Sequence, residues 1–448
     1  MKYYGDETAK ALAWLGDGQT PRAIIQAFAE VKLAAICAQQ ECAALYPAAY
    51  FALLKEAAAE IIAGQWDDQF PLPLAQGGAG TSLHMNICEV LAKLANSRNE
   101  QAAGDFRAHP LDHLARYQST NDTFPTAVII MTFRFLVMIE ERVIRLQEQL
   151  VDRESRYGDW LMCGRTELQD ALPISLGQVF GAWAGPVERD RWRLHKLKER
   201  LRTVPLGGTA LGTGFSAPIA YVFAVEKHLR RITGLPLCRS QNLCDQVAHA
   251  DNLAECARGM GLCADNLYKM SADLLLYTSS LCQEISHGEV QYGSSIMPDK
   301  TNPVLLEFIR GLAMECSATA DLIALYCREG QLQLNANMPF IAEQMIRLAD
   351  RLAKALDCAA GRLMEVLQPN RQRMEARLVL SPALLNTLQE SLGYSALKAL
   401  IPQIQAAAPK DRQELVRWLA KATDLSEAFL EAWSDPGHLT TSETGKRR

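Results

Sequence analysis

The stretch richest in reactive side chains runs Gly293-Ser294-Ser295-Ile296-Met297-Pro298-Asp299-Lys300-Thr301-Asn302-Pro303. Two serines, a lysine and an asparagine lie between an opening glycine and a closing proline. That make-up suits a mobile lid, with glycine as hinge, serine as reacting hydroxyl and lysine as anion anchor. Three further polar segments interrupt apolar text. Gln76-Gly77-Gly78-Ala79-Gly80-Thr81-Ser82 precedes Leu83-His84-Met85-Asn86. Its glycines permit close backbone approach and its hydroxyls fall at a helix N-terminus, a natural anion site, although taken alone a Gly-rich turn with a helix cap is the better account. Ser119-Thr120-Asn121-Asp122-Thr123-Phe124-Pro125-Thr126 offers four small polar side chains in a row, more than capping requires. Gly164-Arg165-Thr166-Glu167-Leu168-Gln169-Asp170-Ala171 reads, by itself, as a solvated helix start.

The elements that must carry these segments are helices. Pro21–Ala44, Ala127–Val151, Leu243–Leu281, Pro303–Arg328 and Met338–Leu367 repeat apolar residues at three- and four-residue spacing. Proline and glycine break the pattern at Pro71–Gly80, Leu206–Gly214, Tyr292–Pro303 and Ser381–Leu385. Alternating β patterns are scarce, and no repeat of roughly 20–50 residues marks a solenoid. The pattern predicts a large all-α bundle. The polar end, Thr440–Arg448, is expected to be disordered.

The 448 residues carry 46 Lys+Arg against 51 Asp+Glu, a net charge of -5. Such a balance gives no electrostatic reason to bind nucleic acid or an anionic membrane. The twelve cysteines contain no C-x-x-C pair, which points to reduced, mostly buried thiols. The opening MKYYGDETAK lacks a basic-then-apolar signal, and the most apolar stretch, Ala127–Ile139, is short and interrupted by Arg134. A cytoplasmic protein is expected.

The sequence G-S-S-I-M-P-D-K-T-N-P resembles the signature of the fumarase/aspartase superfamily, whose members eliminate across a Cα–Cβ bond and usually release fumarate. The resemblance extends in order over nearly the whole chain, from Tyr3-Tyr4-Gly5 and Val31-Lys32 through the other three segments and Gly207-Gly208-Thr209-Ala210 to Leu384–Tyr394. It implies a mainly all-α fold with an N-terminal domain over 1–118, a central helical bundle over 119–371 and a small helical domain over 372–448. It also implies a homotetramer with a core of twenty helices, each active site built from three subunits. Removing a proton beside a carboxylate leaves an aci-carboxylate dianion, so donors must converge where charge develops. By the resemblance Ser294 is the general base, and Ser295 and the Ile296 N–H hold the dianion, with Met297 alongside. Thr81, Ser119 and Thr120 bind the β-carboxylate, with Ser82 beside them. Lys300 and Asn302 grip the other carboxylate, Asn121 faces the leaving group and Thr166 joins them. No metal or organic cofactor is implied, and the partner is a small dicarboxylate or amino acid.

Local spelling separates the branches. Q-G-G-A-G-T-S and S-T-N-D resemble aspartases, whereas Gly207-Gly208-Thr209-Ala210 is spelled as in fumarases. Glu167 stands where fumarases and some aspartases have histidine, and the family pairs that position with a glutamate matching Glu307. Two adjacent carboxylates require a proton, an ion pair with Lys300, or a substrate with a cationic or neutral group there. Leu111 replaces an asparagine of H-P-N-D, Cys88 the second asparagine of M-N-x-N-E, and Asp299 and Thr301 a glycine and valine of the lid. The expected activity is C–N cleavage of L-aspartate or a modified aspartate. Fumarate hydratase and a non-catalytic homologue are the alternatives.

Overall fold

The computed structural model describes residues 2–43, 46–102, 104–379 and 381–435; His438 and the polar end 440–448 lie outside them. The helices are α1 Asp6–Leu15, α2 Arg22–Cys42, α3 Ala48–Ala63, α4 Thr81–Gln101, α5 Thr120–Arg156, α6 Leu176–Arg200, α7 Ile219–Thr233, α8 Leu243–Ala248, α9 Asp251–Thr278, α10 Val304–Arg328 and α11 Met338–Cys358, followed by short C-terminal helices. The strands form three two-stranded ribbons: antiparallel β1 Leu161–Thr166 with β2 Gln169–Ser175, parallel β3 Thr203–Val204 with β4 Cys238–Arg239, and antiparallel β5 Ile285–Ser286 with β6 Gln368–Pro369. Among the described residues no helix is long and apolar enough to cross a membrane.

Three expectations are corrected. Leu243–Leu281 is two helices, because the chain turns extended at His249, after α8 and before α9 begins. Ser381–Leu385 is not an open break: Ser381 accepts the Ala383 N–H and caps a helix over Pro382–Asn386. Gly164–Ala171 is a β-hairpin, not a helix start.

The chain divides into two compact units. The first comprises 1–141, 190–265 and 312–354. Its centre is α2, which buries Ile24, Phe28, Val31 and Ile36 and also the side chain of Lys32. Glu89 on α4 accepts the N–H groups of Gly5, Glu7 and Thr8 and the Thr8 hydroxyl, so its carboxylate sits on the N-terminus of α1. The second unit comprises 142–189, 266–311 and 355–448. Its core gathers Leu161 and Cys163 of β1 with Leu378, Leu384, Leu388, Leu397, Leu419, Leu430 and Trp433 from the C-terminal helices. The hairpin β1–β2 is thereby fixed at its base, leaving its tip to protrude.

Candidate functional site

In the first unit three loops meet at the N-terminus of α5. Gly80 adopts φ +92, and a Cβ there would fall 2.4 Å from the Phe124 ring, so only glycine lets the 76–82 loop lie on α5. Buried Gln76 accepts the Leu83 N–H at 3.1 Å. Thr81 begins α4 and its exposed hydroxyl donates to the Gly78 carbonyl at 2.8 Å; neither Thr81 nor Gly80 caps α4 with a side chain. Ser82 is half-buried beside it.

Each polar side chain of Ser119-Thr120-Asn121-Asp122 has its own task. The Ser119 hydroxyl accepts the Asn121 N–H while the Asp122 carboxylate accepts the Ser119 N–H, a reciprocal cap on α5. The Asn121 amide donates to the Ala210 carbonyl at 2.8 Å. The other Asp122 oxygen accepts the Gly207 and Thr209 N–H groups at 3.1 and 3.0 Å, which binds the 207–210 loop to the 119–122 loop. Burial pushes the Asp122 carboxyl up to about 7, against the opposing pull of those backbone donors and of Lys32. Thr120 Oγ1 lies 2.9 Å from Nδ1 of buried His84, whose Nε2 lies 2.5 Å from Nζ of Lys32.

In the second unit the hairpin tip consists of Glu167 and Leu168, both left-handed at φ 53 and 61, between the paired Thr166 and Gln169. A two-residue hairpin of this kind normally carries Asn-Gly, so the pair is locally strained. Glu167 is exposed, and among the described residues it makes no hydrogen bond or ion pair. Beneath it Arg165 forms two 2.8 Å bonds to Glu284, whose side chain is 0% exposed. Glu284 leads directly into β5, so this buried pair ties the hairpin to the start of the segment that runs on to the lid.

Within the lid the Ser294 hydroxyl oxygen accepts the N–H groups of Ile296 and Met297 at 3.3 and 3.1 Å. The Asn302 amide donates to the Gly293 carbonyl at 2.7 Å, and Lys300 N–H donates to Met297 O at 3.1 Å. Gly293 has no left-handed φ; a Cβ there would lie 1.8 Å from the Lys300 carbonyl, so glycine serves close approach rather than free rotation. Ser295, Ile296, Met297 and Lys300 are exposed, Ile296 at 83%. Glu307 is exposed in the first turn of α10. The structure brings Thr81, Ser82, Ser119, Thr120 and Asn121 together in the first unit. Ser294, Ser295, Ile296, Met297, Lys300 and Asn302 share the lid, with Thr166 and Glu167 at the hairpin. Within the chain, Glu167 is bonded to neither Glu307 nor Lys300.

Sequence reasoning missed Lys32, His84, Asp122, Arg165 and Glu284 as working parts. Lys32, His84, Asp122 and Arg165 stand inside the segments that carry the resemblance and only Glu284 outside them; the available signal was a charged or polar residue amid apolar text. His195, His228 and His249 pair with Glu140, Glu41 and Asp245 at 3.2, 2.9 and 2.9 Å, away from these loops. No group of three His, Cys, Asp or Glu among the described residues is arranged to hold a metal.

An all-α scaffold that presents clustered hydroxyls, amides and a serine-bearing lid is equipped to bind carboxylates and move a proton. The family described as "Lyase" matches residues 6–317. The aspartate ammonia-lyase of Bacillus subtilis (strain 168) is 34% identical over 400 residues, 88% of this chain and 84% of that one. The class II fumarate hydratase of Thermus thermophilus is 31% identical over 413 residues, 89% and 87% of the two chains. The cobalt-bound fumarate lyase:delta crystallin structure from Brucella melitensis superposes with a TM-score of 0.90 at 30% identity, covering 98% and 96%. The protein is therefore a lyase. It belongs to the fumarase/aspartase superfamily.

Proposed function

We propose that this lyase eliminates an amine from an aspartate-type substrate to give fumarate, acting on L-aspartate or a modified aspartate. The observation that carries the reading is the Ser294 hydroxyl oxygen, which already accepts two backbone N–H groups. A serine is a weak base at neutral pH, and donors aimed at its oxygen stabilise the alkoxide that must take the proton. In the proposed step the Ser294 oxygen removes a proton from the carbon beside the β-carboxylate, leaving an aci-carboxylate dianion. Ser119, Thr120 and, once its hydroxyl turns from the Gly78 carbonyl, Thr81 supply donors to that carboxylate, with Ser82 next to Thr81 in the chain and Thr166 contributed from the hairpin. Ser295 and the Ile296 and Met297 amides support the lid side, and Lys300 and Asn302 hold the second carboxylate. The dianion then collapses, the C–N bond breaks, and the amine leaves with the electron pair past Asn121. Glu167, with Glu307, handles the leaving group.

Aspartase-like Q-G-G-A-G-T-S and S-T-N-D, together with Glu167 at the position of the fumarase histidine, support C–N over C–O cleavage. Fumarate hydratase is the second reading, favoured by the fumarase-like Gly207-Gly208-Thr209-Ala210. A homotetramer with shared sites is part of the proposal. Phe308, Met314, Leu322 and Leu325 of α10 are exposed in the single chain, as an intersubunit helix face would be. Fumarate formation from L-aspartate, from an N-substituted aspartate such as argininosuccinate, and from malate, measured separately by its ultraviolet absorbance, tests the reading. Turnover of an amine donor is expected; turnover of malate alone would replace it with the hydratase reading.

A further inference from the structure

We propose that Lys32 and His84 are positioning residues that hold Thr120 as a hydrogen-bond donor toward a substrate carboxylate, an assignment that rests on the dicarboxylate reading above. Lys32 is 0% exposed, and its Nζ meets His84 Nε2 at 2.5 Å, Gln118 Oε1 at 2.9 Å and the Leu114 carbonyl at 3.5 Å, with the Cys88 sulfur a further partner. The Gln118 amide nitrogen donates to the Leu114 and Arg116 carbonyls, which fixes its oxygen toward Lys32. An ammonium carries three hydrogens and no lone pair. At 2.5 Å from His84 Nε2 it can only donate, which requires that nitrogen to be bare. A neutral imidazole then carries its hydrogen on Nδ1, 2.9 Å from Thr120 Oγ1, and donates it there. With a lone pair so engaged, Thr120 keeps its own O–H for a ligand.

The surroundings favour this arrangement from every packed element. On α2 the Phe28 ring lies 5.8 Å from Lys32 Nζ. On α4 Cys88 sits beside Lys32, and burial pushes its thiol up, keeping it neutral. On α5 the Asp122 carboxyl contributes favourable charge to Lys32. Burial and then the adjacent Lys32 hold His84 well below the ordinary histidine range, so the imidazole stays neutral. Burial also lowers Lys32 below an ordinary lysine. As pH rises through that lowered value, the amine accepts from Nε2–H, the imidazole changes tautomer, and Nδ1 takes the Thr120 hydrogen. Thr120 then stops donating.

Succinate, a dicarboxylate with nothing to eliminate, is the probe, with binding to the full-length protein read by calorimetry. His84→Phe keeps the ring volume against Phe28 and should weaken binding about tenfold, the worth of one oriented bond to a charge. His84→Asn, whose amide N–H can replace Nδ1–H, should restore most of it. In a Thr120→Val background, His84→Phe should add nothing. Binding should weaken at alkaline pH, and Lys32→Met should remove that limb. In ¹⁵N spectra of the free protein, His84 should show a bare Nε2 and a protonated Nδ1. The opposite tautomer, wild-type binding in His84→Phe, or additive effects with Thr120→Val would overturn the relay while leaving the dicarboxylate reading intact. A wild-type protein that binds no succinate would overturn that reading itself.

Discussion

Gly293→Ala tests the lid most sharply because the structure sets the size of the disturbance. The added Cβ would lie 1.8 Å from the Lys300 carbonyl oxygen. Real Cβ contacts essentially never fall below 3.0 Å, so the two strands of the lid base must part by at least about 1.2 Å. That movement strains the 2.7 Å bond from Asn302 to the Gly293 carbonyl and shifts Lys300, the two residues proposed to hold a substrate carboxylate. A misplacement near 1 Å costs on the order of 10²-fold in rate. Residues 295–301 are exposed and contribute no core, so thermal unfolding should be unchanged. The expected result is fumarate formation slowed about a hundredfold with an unaltered melting curve. A variant with near-normal kcat would refute the argument that the lid needs this closure, and a collapsed melting temperature would refute its independence from the core.

Ser294→Ala should lower turnover by roughly 10³-fold, within the range of about 10²–10⁴ for a general base, while leaving the oligomer intact by gel filtration; near-normal turnover removes Ser294 from that role. Glu167→Gln should improve KM for L-aspartate, because a carboxylate about 4 Å from a bound dicarboxylate costs roughly 1–4 kcal/mol. An unchanged or worse KM would show Glu167 serving aspartate itself. Asp122 titrates in the folded chain at about 7, above its unfolded value near 3.8, so the folded state holds the extra proton between those values. Its contribution to stability is complete below the lower value and lost as pH rises through the upper one. Urea midpoints at about pH 5 and about pH 8 should therefore differ less in Asp122→Asn than in the parent, and equal differences would refute the assignment. Exhaustive EDTA treatment should leave turnover intact; a loss restored by Mg²⁺ would contradict the metal-free mechanism.

The long helices were legible because their apolar residues keep a 3.6-residue period, as α2 and α10 show. The break between α8 and α9 was not, since Ala248-His249-Ala250 interrupts neither composition nor period, and the Asn242 cap marks only the start of α8. The hairpin escaped for a different reason. Its tip holds Glu167 and Leu168 where local preference calls for Asn-Gly, so the chain adopts there what its own sequence disfavours. Motif order made the site segments visible, yet not the parts that tie them together. Lys32 and His84 are 52 residues apart, and Arg165 and Glu284 are 119 apart. Such pairs have no spacing rule, because a buried charge is stabilised by a partner that only the folded chain supplies.

The hairpin tip bears on which bond is broken. Two non-glycine residues in left-handed geometry each cost roughly 1–2 kcal/mol. Among the described residues Glu167 repays none of it, being exposed and unbonded, and Leu168 is 72% exposed. What holds the tip is remote from it: the buried Arg165–Glu284 pair and the packing of β1 on the C-terminal helices. Strain maintained from a distance at a residue without structural work supports the proposed role of Glu167. A carboxylate presented there repels a second carboxylate but attracts an amine that is positively charged at neutral pH, by the same roughly 1–4 kcal/mol at about 4 Å. A hydroxyl leaving group offers no such compensation. In the proposed C–N cleavage plain aspartate meets both effects at once, so the charge at this tip favours a modified aspartate that carries a further cation beside the bond to be broken.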